Sequence, residues 1–187
     1  MKQLFISPQF VSDNLPVQLV LPDLNQAKAL FAIIANHRDD LKPWMAWVTT
    51  VKSIEDEEAF LLNSQQQMYK QKLFLLTICV EGSPAGVITL YDLDFPNHHG
   101  KVSYWLSPQY QGHGIASRCL ERVLAYAFNQ LHLHKLQVWA DAFNYKAQHV
   151  AQRMGFEHEA TMKEELFFND RYHDMEVFCY VNLAQNV

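Results

Sequence analysis

No stretch of this chain approaches the ~18 consecutive apolar residues that a membrane-crossing helix needs, so no membrane partner is expected. Basic runs are also missing. There is no block of five Lys and Arg, and the net charge is −5. Binding to nucleic acid through phosphate contacts is therefore not expected. Cysteine is scarce. The three present (Cys79, Cys119, Cys179) have no CxxC spacing and sit in apolar stretches. That reads as buried, reduced thiols and a cytoplasmic setting. The opening MKQLFISPQFVSDN holds no apolar core of leader length. His98-His99 and His132-Leu133-His134 are paired like metal ligands, but no third ligand stands at metal spacing, so no metal is expected. Glycine is thin, with six residues. Two of them stand one residue apart in YQGHGIAS, Tyr110 to Ser117.

What is present describes a folded chain. Apolar residues make up 49% and charged residues 19% of 187, which suits one domain over 1–187 with an ordered core of about 17–182. Alternation predicts a strand at Val17–Leu21, and helical spacing predicts a helix over Asn25–Asn36. LKPWMAWV follows, with Trp44 and Trp47 three residues apart. Ser53 to Asp56 is a capping box, and the acids Glu55 to Glu58 are read as cap and dipole residues of a helix running to about Gln71. Further strands are expected at Leu73–Val80, Ala85–Leu93, Val102–Leu106, Leu136–Ala140, Glu157–Phe168 and Asp174–Val181. The last two are joined by Asn169 to Tyr172. Helices are expected at Ile115–Gln130 and at Asn144–Met154, the second stopped by Gly155. The centre reads strand, Gly-rich turn, helix, strand, which is a βαβ unit. Hairpins flank it, so the fold class is α/β (α+β): a mixed, mostly antiparallel sheet around a central βαβ unit flanked by helices.

The turn YQGHGIAS opens a helix whose first N–H groups lack intrahelical partners and favour an anion. Gly112 and Gly114 let a ligand approach the backbone, and Ala116 keeps the first turn uncrowded. The spacing is neither GxGxxG nor a P-loop. A plain turn is the alternative from these residues alone.

The pattern Gln111, Gly114, Ala116 after YWLSPQY resembles the cofactor motif of the GNAT N-acetyltransferases. NYKAQHVAQRMGF (Asn144 to Phe156) resembles the family's second CoA-side helix, and FFNDRYHD (Phe167 to Asp174) its closing hairpin. The order LKPWMAW, then SIEDEEAF, is most similar to the ribosomal-protein alanine and serine branch. The resemblance implies acetyl transfer from acetyl-CoA to an amine by direct attack in a ternary complex. It implies that the amides of Gly112, His113, Gly114, Ile115 and Ala116, with Gln111 and Ser117, hold pyrophosphate. The strand ending at Leu106 would bind pantetheine and polarise the thioester carbonyl. Asn144 would position the thiol end, and Trp44, Trp47 and Lys101 would line the acceptor side.

The sequence departs from that branch at three positions. Gly100-Lys101 stands where its relatives carry Ala-Glu, the Glu being the usual base. Ala147 replaces a Ser acid, and Ala151 the Tyr acid of polyamine acetyltransferases. Candidate substitutes are Tyr104, Tyr145 and Asp174, with His149 and His173 nearby, although His173 and Asp174 also read as a solvated hairpin end. An α-amine, pKa ~7.8, is far more often neutral at pH 7 than a Lys side chain, pKa ~10.4. A base-poor site therefore favours the α-amine of a protein such as a ribosomal protein, and a like charge on Lys101 would add to that. The alternatives are an acyl-CoA-binding module with little or no turnover and an acetyltransferase for a polyamine or small amine. A homodimer is compatible with the sequence.

Overall fold

The computed structural model describes residues 9–183; the readings for 1–8 and 184–187 lie outside them. The described strands are β1 (Phe10–Ser12), β2 (Leu15–Val20), β3 (Phe74–Val80), β4 (Ser83–Asp94), β5 (His99–Leu106), β6 (Lys135–Asp141), β7 (Glu157–Phe168) and β8 (Arg171–Val181). They form one eight-stranded sheet in the order β1-β2-β3-β4-β5-β6-β8-β7. Neighbours are antiparallel throughout except β5 and β6, which run parallel. The helices are α1 (Ala27–Asn36), α2 (Arg38–Leu41), α3 (Ile54–Tyr69), α4 (Ile115–Asn129) and α5 (Tyr145–Arg153). The crossover from β5 to β6 is α4, which completes the expected βαβ unit.

Strand alternation divides the core between two sheet faces. Leu76, Ile78, Ile88, Leu90, Val102 and Leu106 pack with Ile115, Cys119, Leu120 and Val123 of α4. Leu75, Val87 and Trp105 pack with Leu30 and Ile34 of α1 and Leu61 of α3. Of the stripe expected at Ile115, Cys119, Val123, Ala127 and Leu131, the first four are buried on α4, while Leu131 lies past the end of the helix and is half-buried. The capping box of α3 also forms: the Asp56 N–H donates to Ser53 Oγ at 3.3 Å, and the Ser53 N–H donates to Asp56 Oδ2 at 3.0 Å.

Three boundaries differ from the sequence reading. An extra strand, β1, precedes the expected first strand, β2, and makes a hairpin with it through Asp13 and Asn14. β5 begins at His99 rather than Val102, because Asp94 still pairs with His99 beyond an irregularity between Tyr91 and Asp94. β8 begins at Arg171 rather than Asp174, so only Asn169 and Asp170 form the turn. Both hairpin turns have positive φ at their two central residues: 50° and 63° at Asp13 and Asn14, 49° and 58° at Asn169 and Asp170. That backbone matches the right-handed strand twist, and Asn and Asp tolerate it. One glycine fixes the line of β5. A Cβ on Gly86 would stand 2.2 Å from the Trp105 carbonyl oxygen, so β4 can hug β5 there only without a side chain.

Candidate active site

The parallel pair parts early. Register runs His99 to Lys135, Gly100 to Leu136 and Lys101 to Gln137, and ends there. β5 continues to Leu106 held on its other side by β4, and β6 continues to Asp141 held by β8. Between the two continuations lies a wedge whose facing strand edges do not pair. Backbone donors and acceptors along Val102–Leu106 are thus available to an extended ligand.

The cradle stands at the mouth of this wedge. After β5 come a short 3-10 turn, Pro108–Tyr110, and then Gln111 to Gly114. Gln111 Nε2 donates to the Leu106 carbonyl at 3.2 Å and ties the turn to the strand end. Gly112 and Gly114 have φ of +87° and +71°. Gly114 is the N-cap of α4, and no side chain caps this end. The N–H groups of the first turn therefore point outward unused, the arrangement that favours an anion. Ser107 Oγ, buried at the end of β5, has no hydrogen-bond partner among the described residues.

Tyr104 spans the wedge. Its hydroxyl reaches 3.5 Å from the Ala147 carbonyl oxygen in the first turn of α5. Burial pushes its phenol well above the usual range, so the hydroxyl stays protonated and can donate. Asn144 caps α5, its Oδ1 accepting from the Ala147 N–H at 3.2 Å. Tyr145 beside it is 59% exposed. Asp174 is engaged elsewhere: Oδ2 takes Lys163 Nζ at 2.7 Å and Oδ1 the Glu164 N–H at 2.8 Å. Both contacts hold its carboxyl below the ordinary range, the Lys163 bond contributing most. It anchors the irregular stretch of β7 between Met162 and Leu166. Lys101 pairs with Asp92 Oδ2 at 3.1 Å and lies 4.2 Å above the Trp139 ring. Its charge is offset, which removes the like-charge argument made for it from the sequence. His98 and His132 do meet, but through a ring nitrogen 2.9 Å from a backbone carbonyl oxygen. Among the described residues no group of three His, Cys, Asp or Glu could hold a metal.

The face of β5 opposite α4 carries Lys101 and Trp105. Trp47 lies 6.0 Å from Trp105, and Trp44 and Trp47 are each about two-fifths exposed, at 39% and 38%. Across from them the β7–β8 turn arrives, where Asn169 Nδ2 donates to the Lys42 carbonyl at 3.0 Å. These segments bound a second approach to the wedge, rimmed by aromatic rings.

Glu57 corrects the reading of the acids on α3. It sits in the first turn, yet it is 2% exposed. Helical spacing could have found it, since it lies three after Ile54 and four before Leu61, both of which face the core. Burial pushes its carboxyl from 4.5 up to about 7. A raised acid is penalised only where it ionises. The penalty is absent below pH 4.5, grows as pH rises toward 7 and is constant above. Glu57→Gln is expected to stabilise the fold at pH 8 by on the order of 2 kcal/mol. The gain should vanish by pH 4.5. Urea unfolding at both pH values tests this, and an equal gain at each would overturn it.

His173 is a further correction. It is not a solvated hairpin end but 3% exposed, with Nδ1 hydrogen-bonded to the buried Asp141 carboxyl at the end of β6. Its ring stacks on Phe168 at 3.7 Å. Sequence reasoning also missed Ser12 and Asp13, which meet the distant His113 loop, and Asp92, which meets Lys101 on the neighbouring strand; none of these contacts leaves a local signal.

A parallel pair parting beside a glycine-cornered helix N-terminus, with a second substrate approach on the opposite face, is the layout of a two-substrate transferase using an anionic cofactor. The chain belongs to the GNAT acetyltransferase family: the model of the acetyltransferase (GNAT) domain matches residues 17–157. It is 24% identical over 166 residues to the putative ribosomal N-acetyltransferase YdaF of Bacillus subtilis, covering 88% of this chain and 90% of that one. It is 31% identical over 109 residues to the spermidine N(1)-acetyltransferase of Escherichia coli K12, covering 57% and 59%. The solved RimL ribosomal L7/L12 α-N-protein acetyltransferase, in complex with coenzyme A, superposes with a TM-score of 0.89 at 22% identity over 97% of this chain and all of that one. That likeness establishes the fold. No helix among the described residues is long and apolar enough to cross a membrane.

Proposed function

We propose that the chain moves an acetyl group from acetyl-CoA to the α-amine of a protein such as a ribosomal protein, by direct attack in a ternary complex in the cytoplasm. The observation that carries this reading is the wedge, where pairing stops at Lys101 and Gln137 just beside the unused amides of α4. In this reading Gln111, Gly112, His113, Gly114, Ile115, Ala116 and Ser117 hold the pyrophosphate. The edge of Val102–Leu106 takes the pantetheine, and a backbone N–H of that edge polarises the thioester carbonyl. Asn144 sets the start of α5 against the thiol end. Tyr104 donates to the leaving sulfur. The amine enters between Trp44 and Trp47 and the β7–β8 turn.

The acceptor follows from protonation. At the position where related enzymes carry a Glu base, this chain has Lys101 tied to Asp92. Without a strong base, the acceptor must arrive neutral often enough on its own. An α-amine does so hundreds of times more often than a Lys side chain. Thiol release at pH 7.5 should therefore give a kcat/KM for an N-terminal peptide on the order of 10²-fold above that for a matched, N-blocked Lys peptide. Preference for the Lys peptide would sink the reading. The spermidine acetyltransferase likeness motivates a polyamine arm, and faster turnover of spermidine than of the peptide would favour that acceptor instead. Binding of acetyl-CoA with no turnover on any amine would point to a binding module.

A further inference from the structure

The β1–β2 hairpin, which no part of the reaction above uses, is seated on the cradle through a chain of side-chain contacts. Ser12 is 6% exposed, and its Oγ donates to the His113 carbonyl at 2.7 Å. Asp13 Oδ2 lies 2.5 Å from His113 Nδ1. One turn into α4, Arg118 donates to the Val11 carbonyl at 3.2 Å. A further turn on, the Arg122 guanidinium stacks 3.7 Å over the Phe10 ring. Every residue from Phe10 to Asp13 thus touches the His113 loop or the first two turns of α4.

We propose that this hairpin is a positioning clasp for the cofactor's pyrophosphate, with Ser12 as its key residue. The inference rests on the cradle assignment made above. Its logic is peptide geometry. The His113 carbonyl and the Gly114 N–H belong to one planar trans unit and point in opposite directions. A hydroxyl holding the carbonyl toward the hairpin therefore aims the Gly114 N–H away from it, outward with the other free amides. The same unit needs fixing because Gly112 and Gly114, with positive φ on either side of it, leave the backbone freer than any other residue would. A Cβ on Gly114 would come 3.5 Å from Ser12 Oγ, so the hydroxyl closes directly on this peptide. The Asp13 contact holds the His113 ring against the hairpin.

Ser12 touches neither substrate in this account, so its effect should appear only with a ligand that has a pyrophosphate. The test compares acetyl-CoA with S-acetylpantetheine, which carries the same thioester but lacks the pyrophosphate and nucleotide. Ser12→Ala is expected to raise the KM for acetyl-CoA about three- to tenfold, the worth of one pre-aimed hydrogen bond. Its kcat, and its kcat/KM for S-acetylpantetheine, should stay within about twofold of wild type. The truncated thioester also reports that the variant is folded. Equal losses with both thioesters would mean a general structural defect and overturn the clasp. An unchanged acetyl-CoA KM, in an enzyme whose wild type prefers acetyl-CoA, would overturn the clasp alone. Wild type that shows no preference for acetyl-CoA would overturn the cradle and the clasp together.

Discussion

Tyr104→Phe is expected to lower kcat about 10²-fold while leaving the KM for acetyl-CoA within about twofold. The positions to which the family resemblance assigns an acid hold Ala147 and Ala151, which cannot donate. Tyr104 reaches this same helix from the opposite strand, with its oxygen 3.5 Å from the Ala147 carbonyl oxygen. Such a contact is long, so removing the hydroxyl disturbs little packing. Burial keeps the phenol protonated far above neutral pH, which suits an acid and not a base. The loss should therefore not vary between pH 6 and 9. A thiolate with a pKa near ~8.5 leaves without great difficulty, which is why the effect falls at the low end for general acid catalysis. The decisive comparison uses an acetyl thioester of a more acidic thiol. The deficit should shrink, because that sulfur needs less help. A deficit equal for both thioesters would remove Tyr104 from the acid role.

The fold was legible where local chemistry and periodicity agreed. Ile115, Cys119, Val123 and Ala127 wrote the buried stripe of α4, and Ser53 with Asp56 wrote the start of α3. The Gly112 and Gly114 corner was legible because glycine takes those φ values without the penalty a Cβ brings. Illegible features depend on partners far along the chain. The Asp13-Asn14 turn lacks the Gly that usually signals a two-residue hairpin, and for the same reason the Asn169-Asp170 turn reads from the sequence as four residues, not two. Lys101 looked like a free cation because Asp92 lies across a strand pair, within an irregularity no local pattern announces. Glu57 looked like one acid among four. Only the tertiary packing of α3 turns it inward, and capping explained its neighbours too easily.

His173→Leu is expected to cost about 3–5 kcal/mol of stability, roughly 10 °C in Tm for a chain of this size. The pair it breaks is buried on both sides, at 3% exposure for His173 and 4% for Asp141. Removing the ring leaves the Asp141 carboxyl in the core with one remaining donor, the Phe143 N–H at 2.8 Å. Asp141→Asn should be milder, since its amide oxygen can still accept from Phe143. The double variant Asp141→Leu with His173→Leu should recover part of the loss, because an unpartnered N–H costs less than an unpartnered carboxyl. Urea midpoints should thus run wild type, Asp141→Asn, the double variant, His173→Leu. The pair also bears on activity through what it ties together. The Asp141 carbonyl accepts the Asn144 N–H at 2.8 Å and Gln148 Nε2 at 3.1 Å, which seats the start of α5. His173 Nε2 lies 3.1 Å from the Phe168 carbonyl oxygen at the β7–β8 turn. One contact thus joins the start of α5, the cofactor side in the proposed function, to the β7–β8 hairpin, which borders the acceptor side in that reading. His173→Leu, assayed well below its melting point, should raise the KM for both substrates, whereas a loss confined to one would show that the two sides are positioned independently.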